Sequence, residues 1–190
     1  FAAKTLGADL ISVSSHKIHG PKGAGALYIS PRLRSFPPYL YGGGQEGGFR
    51  SGTEATPAIF GFAAAAAAGA ATFREDAAKE KQLLNALVEK LQTVEGLQIN
   101  GAHDAPHILS LSIPGVPTQN SLNVLQDAGI CVSAGSACAK GHRSHTLTAM
   151  GLRPETMDGS FRVSLCRDTT WEELEKLAEV IEKDIIGRFL

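Results

Sequence analysis

Residues 57–93 constrain the fold more than any other part of the chain. The segment opens on an alanine-rich run, 57–73, and closes on Leu83, Leu84, Leu87, Val88 and Leu91 ahead of Gly96. Apolar residues at i, i+3, i+4 and i+7 form one stripe down a helix, so the spacing predicts a single long helix over 57–93. The alanine run is shorter and less apolar than the ~20 strongly apolar residues a bilayer-crossing helix needs, and Arg74, Glu75 and Asp76 follow it at once. It is therefore expected to be a buried or half-buried protein helix, with no membrane as a partner. A helix of that length divides the chain into a block before it and a block after it.

The block before it reads as strands with long turns. Short β-branched and apolar runs predict strands at 9–13 and 24–29, and the intervening SSHKIHGPKG is dense in turn formers and polar groups. Residues 30–57 hold Pro31, Pro37, Pro38 and Pro57 and the clusters Gly42-Gly43-Gly44 and Gly47-Gly48. So long a stretch without an element of its own is usually functional or disordered. Its glycines, with Arg50-Ser51-Gly52-Thr53, favour function. The block after the helix is mixed. Strands are expected at 97–100, 108–113, 130–132 and 161–165, with the last three in one sheet. Helices are expected at 119–126, 144–150 and 170–185, the last opened by a capping box of Thr170 and Glu173.

Composition removes several classes of function. Lys+Arg at 18 against Asp+Glu at 19 gives a formal net charge of -1, so no basic field exists to gather nucleic acid. The 3 cysteines, Cys131, Cys138 and Cys166, are odd in number and irregularly spaced. That is a poor disulfide framework and points to a reducing, cytoplasmic compartment. The chain opens on Phe1 with neither an initiator Met nor a signal-peptide pattern, and is expected to continue upstream.

Three segments carry chemistry. In Ser14-Ser15-His16-Lys17-Ile18-His19-Gly20-Pro21-Lys22-Gly23, a lysine follows a strand inside a polar turn. Desolvation or a neighbouring cation makes such an amine nucleophilic near neutral pH, so Lys17 suits a Schiff base. The Ser14 hydroxyl and the His16 imidazole are donors able to hold a phosphate. The plain alternative is a basic surface turn. In 42–53, glycine backbone can approach an anion closely, and Arg50 and Thr53 add a charge and a hydroxyl. A solvent loop explains that segment equally well.

In 133–145, Cys138 sits among small residues with Lys140, His142 and Arg143 close behind. Positive neighbours lower a thiol's pKa and small ones leave it accessible, the setting of a reactive thiolate. Cys131 and Cys166 instead read as core cysteines. Cys138, His142 and His145 lack the fourth ligand a structural zinc requires, so no metal is expected.

The strings SSHKIHGPKGAGALYI, GGGQEGGFRSGT, SAGSACAKGHRSHTLTAMGL and SFRVSLCRDTT follow one another in this order. Together they resemble, across essentially the whole chain, the C-terminal half of the cysteine desulfurases, which are class V aminotransferases and fold type I enzymes of pyridoxal 5'-phosphate. The resemblance implies an α/β chain holding the C-terminal part of a PLP-dependent transferase fold. Residues 1–56 would be a fragment of the large cofactor-binding domain, 57–95 a connecting helix, and 96–190 a small α+β domain with the catalytic cysteine loop. It also implies Lys17 as the Schiff-base lysine, Ser14 and His16 as phosphate ligands, and Thr53 as a contact to the phosphate in the neighbouring subunit of a homodimer. Arg162 would clamp the substrate carboxylate and Cys138 would be the nucleophile.

The implied reaction turns L-cysteine into L-alanine and leaves a persulfide on Cys138. An iron–sulfur scaffold or a tRNA-thiolation protein would accept the sulfur. Gly47 stands where the family usually has arginine, Cys166 replaces a common glycine, and the segment after Cys138 is shorter than in the longest-loop members. The family's cofactor-stacking histidine and its aspartate for the pyridine nitrogen lie upstream of the lysine. The chain is therefore expected to be an incomplete portion, inactive alone. Selenocysteine lyase, another class V lyase or aminotransferase, and a non-catalytic dimerisation or partner-binding module stay open as readings.

Overall fold

The structure, a computed structural model, describes residues 5–33, 35–135 and 143–190. It divides into two compact units, Phe1–Phe73 and Arg74–Leu190.

The first unit is built on an antiparallel hairpin. Strand β1 (Leu10–Ser14) pairs with β2 (Gly25–Ile29), Leu10 opposite Ile29 and Ser14 opposite Gly25. Both strands lie within a residue of the apolar runs that predict them. The expected long helix forms as α1 (Thr56–Leu91), 36 residues in length. The unit boundary therefore falls inside this helix. Its early part carries small residues where the loop after β1 closes on it. A Cβ on Gly61 would stand 2.9 Å from Pro21 Cγ, and a Cβ on Gly20 would stand 3.3 Å from the Ala65 methyl. Gly61 and Ala65 are one turn apart, so they present a single small-residue face to the loop.

The alanine run departs from expectation in its burial. Ile59 is 42% and Phe60 75% exposed, and no part of its most apolar 18-residue window is buried, although that window's mean hydropathy of 1.4 is high enough for a membrane span by length and composition. Within the first unit, Ala58, Gly61, Phe62, Ala65 and Thr72 are the half-buried residues of α1, and the rest of the run is exposed.

The second unit is a three-stranded antiparallel sheet with helices on one face. The strands β3 (Gln98–Asn100), β4 (Ile108–Ser112) and β5 (Ser160–Ser164) run in the order β3-β4-β5. Alternation sorts the two faces. Leu109, Leu111, Phe161 and Val163 point into a core with Leu84, Leu87, Val88 and Leu91 of α1. Leu125 of α2 (Thr118–Asp127) and Leu174 and Leu177 of α5 (Trp171–Glu179) complete it. Each such side chain contributes about 1.5–3 kcal/mol on burial. The opposite face carries Asn100, Ser110, Ser112, Ser160, Arg162 and Ser164.

Helix α5 opens on the expected capping box, the Thr170 hydroxyl accepting from Glu173 N–H and the Glu173 carboxylate from Thr170 N–H. Past Glu179 the helix winds as a π-helix over Val180–Ile186. The short helix α3 (His145–Ala149) is N-capped by Ser144, and a turn of helix not expected from the sequence, α4 (Pro154–Asp158), precedes β5.

Two expectations fail around Cys131. Residues 130–132 form no strand. Helix α2 ends in a Schellman-type cap, in which Gly129, at φ 78°, donates to Gln126 O and Ile130 donates to Leu125 O. The amide of Ile130 thus closes a helix, and pairing with β5 is reduced to one bridge at Ser133 and Arg162. Held off the sheet in this way, Cys131 is exposed rather than part of the core, and Cys166 is only half-buried.

Candidate functional site

In the first unit, one residue organises the turn that carries Lys17. The chain leaves β1 at Ser14 and forms a 3-10 turn over Ser15–Ile18, with His19 in the left-handed region at φ 66°. The Ser15 N–H donates to Ala24 O at 3.0 Å, and its carbonyl accepts from Gly20 N–H at 3.0 Å and from His19 N–H. Its side chain is fully buried, with Oγ unpartnered. An ideal Cβ on Gly20 would overlap that Oγ, so this position has room only for glycine. The outcome is a short, closed turn with Ser14, His16 and Lys17 all exposed along it.

The glycine-rich segment of the same unit folds on itself. The buried Ser51 donates its N–H to Leu40 O at 3.1 Å, while its Oγ accepts from Gly44 N–H at 3.3 Å. The Gln45 Oε1 accepts from Gly52 N–H at 3.1 Å, and Arg50 Nη1 donates to Gly52 O at 3.2 Å. Gly44, Gly47, Gly48 and Gly52 all have positive φ, which glycine alone adopts without strain. The segment is thus a defined loop, and Thr53 leaves it exposed. Arg50, expected to offer its charge to an anion, gives one donor to its own loop.

In the second unit, the polar face of the sheet floors a cavity of about 410 Å³. Arg162 lines it, half-buried, its Nε donating to Ser164 Oγ at 3.2 Å. No carboxylate among the described residues pairs with Arg162. A half-buried guanidinium without a counter-ion is a ready anion site. Gly135 and Ser144 line the same cavity. They bracket residues 136–142, and Cys138, the expected nucleophile, falls outside the described residues.

Arg143, read from the sequence as a cation close behind that thiol, has a carboxylate partner among the described residues. It forks onto Asp158, Nε to Oδ1 at 2.8 Å and Nη2 to Oδ2 at 2.7 Å. The fork holds the Asp158 carboxyl below the usual carboxylate range and raises Arg143.

Sequence reasoning missed several polar residues of the cavity, among them Asn100, His103 and Ser110. Asn100 is buried and donates from Nδ2 to Ser110 Oγ at 3.2 Å and Ser112 Oγ at 2.8 Å, while its Oδ1 is buried without a partner. His103, at φ 43°, has a buried Nδ1 in the same condition, and its carbonyl accepts from Lys81 Nζ at 3.0 Å. The signal that would have found Asn100 and Ser110 is strand register, which no local pattern encodes.

The description "Aminotransferase class-V" fits a family model that matches residues 1–177. The chain belongs to that family. A cysteine desulfurase of Nostoc sp. is 39% identical over 183 residues, 94% of this chain and 46% of that protein. Cysteine desulfurase IscS 1 of Archaeoglobus fulgidus is 36% identical over 180 residues, 93% of this chain and 47% of that protein. Among solved structures, a NifS-like protein superposes with a TM-score of 0.85 at 35% identity, covering 100% of this chain and 49% of that one. Another from Rickettsia africae gives 0.84 at 35%, covering 95% and 48%. This chain therefore spans about half the length of the curated relatives it matches, and its α/β architecture is that of the corresponding part of the NifS-like fold.

Members of the family work with pyridoxal 5'-phosphate, and the lysine turn fits that group. It offers a primary amine for the aldehyde and a hydroxyl and an imidazole for the phosphate. A Cβ at Gly20 would collide with Ser15, so the closure of the turn that carries these three exposed side chains depends on glycine there.

Proposed function

We propose that the protein carrying this chain is a PLP-dependent cysteine desulfurase. In this reading the first unit is a piece of the large domain and the second is the small domain. Lys17 holds the cofactor and moves the substrate's α-proton at Nζ. Ser14 and His16 bind its phosphate, and Thr53 reaches the phosphate in the partner of a homodimer. Arg162 takes the carboxylate of L-cysteine.

When bound, pyridoxal phosphate supplies the electron sink that receives the C–S bonding pair. The Cys138 thiolate attacks the substrate sulfur, so an S–S bond forms as the C–S bond breaks. Protonation of the carbon skeleton releases L-alanine and leaves a persulfide on Cys138. A sulfur-acceptor protein, an iron–sulfur scaffold or a tRNA-thiolation protein, takes that sulfur in the cytoplasm.

The observation that carries this reading is the cavity of the second unit. There an arginine with no counter-ion among the described residues shares one lining with Gly135 and Ser144, which lie on either side of the Cys138 segment. The reading is tested in the protein that carries the chain. Cys138→Ala is expected to abolish sulfide release while the cofactor's absorbance survives, whereas Lys17→Ala removes that absorbance. If Cys131→Ala stops sulfide release as completely, with folding intact, Cys138 is not the nucleophile.

A further inference from the structure

Strand register sets a row of polar residues across the floor of the second unit's cavity. Asn100 lies opposite Ser110, Ser110 opposite Arg162, and Arg162 bridges to Ser133. Directly opposed residues project on one face with their Cβ atoms ~4.5–5.5 Å apart, and Asn100, Ser110 and Arg162 all line the cavity.

Their hydrogen bonds leave a particular set of donors open. Arg162 commits Nε to Ser164, and its two terminal nitrogens have no partner among the described residues. The Asn100 Nδ2 donates to the oxygens of both Ser110 and Ser112. Since the amide is the donor in both bonds, it consumes neither hydroxyl proton, and the Ser110 proton meets no acceptor among the described residues. Asn100 is 5% exposed and its Oδ1 is unmatched, so the amide is held by the two serines alone. With the amide nitrogen as donor, the Ser110 hydroxyl proton is free to turn toward the neighbouring strand, where Arg162 stands opposite.

We propose that Ser110 is a second ligand of the carboxylate taken by Arg162, and that Asn100 is the positioning residue that aims the Ser110 hydroxyl. This rests on the reading of Arg162 as the clamp for an α-amino-acid carboxylate. A hydroxyl donating to a carboxylate is a charge-assisted bond, stronger than a neutral one, and it adds direction to a guanidinium that tolerates several poses.

The test is a calorimetric titration of L-alanine into the complete protein that carries the chain. Ser110→Ala is expected to weaken binding about tenfold, and Ser110→Thr, which keeps the hydroxyl, to recover most of it. Asn100→Ala is expected to weaken binding in the unaltered protein but to add nothing in the Ser110→Ala background, the coupling that a positioning role requires. Arg162→Ala should abolish binding. Unchanged affinity in Ser110→Ala, with Arg162→Ala inactive in binding, overturns the role of Ser110 while the clamp stands. An equal loss from Asn100→Ala in both backgrounds overturns the positioning role. Failure of the unaltered protein to bind, or full binding by Arg162→Ala, overturns the clamp itself.

Discussion

Gly20 sits where an added Cβ would overlap Ser15 Oγ and come 3.1 Å from the Ser15 carbonyl oxygen. That carbonyl accepts the Gly20 and His19 amides, so Gly20→Ala strains the bonds that close the lysine turn. Overpacking of this kind costs roughly 1–3 kcal/mol. It is expected to appear as a fall in hydrogen-exchange protection at the Ser15 and Gly20 amides. Gly69 is the opposite case, with nothing within 4 Å of its would-be Cβ and a place inside α1. Gly69→Ala is expected to raise helix stability by about 0.5–1 kcal/mol, seen as a higher melting point by circular dichroism.

The Arg143–Asp158 fork adds a pH dependence whose sign is fixed by geometry. Hydrogen bonding from Arg143 lowers the Asp158 carboxyl. Its stabilisation is therefore complete above the unfolded carboxylate value of ~3.9 and lost as pH falls through the lower folded value. Asp158→Asn should lower the urea midpoint slightly at neutral pH, by less in high salt because both partners are half-exposed. The difference should vanish in strong acid, and a gap that persisted there would assign the effect to packing instead.

Among the elements, those written in local pattern were legible and those decided by tertiary pairing were not. The stripe of Leu84, Leu87, Val88 and Leu91 announces the second half of α1, and all four are buried. Alternation announces β4 and β5, and the Thr170–Glu173 spacing announces the start of α5. Thr170→Ala removes the hydroxyl that accepts the Glu173 amide, so the chain is expected to lose about 1 kcal/mol, measured by urea unfolding. Residues 130–132 read as strand because isoleucine, cysteine and valine suit a pleated surface. Gly129 overrode that preference by admitting a left-handed helix cap. Pro154 at the first turn of α4 was a usable start signal, but a helix of one turn leaves no periodicity to confirm it. At the candidate site, Lys17 was singled out by its polar turn and Arg162 by the resemblance alone. Asn100 and Ser110 were not, because they meet Arg162 only once three strands are aligned.

On the scale of the molecule, stability is distributed unevenly. Among the described residues, every buried apolar side chain of the core lies from Leu84 onward. The first unit has none, and Leu10, Val13, Ile18 and Leu27 of its hairpin region are each more than a third exposed. A two-stranded hairpin without a hydrophobic face to pack on is marginal in water. In the 190-residue chain, the residues proposed for the cofactor therefore stand on the unit without buried apolar side chains among the described residues, and the carboxylate arginine on the unit that has them. Local opening free energies scale with buried contact, so the two units are expected to differ in native-state hydrogen exchange of the 190-residue chain. Amides of β4, β5 and the α1 turns from Leu84 to Leu91 should exchange only through global unfolding. Those of β1 and β2 should exchange through local opening, with little dependence on denaturant. In the complete protein that carries the chain, added pyridoxal phosphate is then expected to slow exchange in the hairpin and the Ser15–Ile18 turn while leaving β4 and β5 unchanged, since a ligand stabilises the state it binds. Equal protection in both units before addition would refute the uneven distribution. Slowing confined to the second unit would move the cofactor's site away from Lys17.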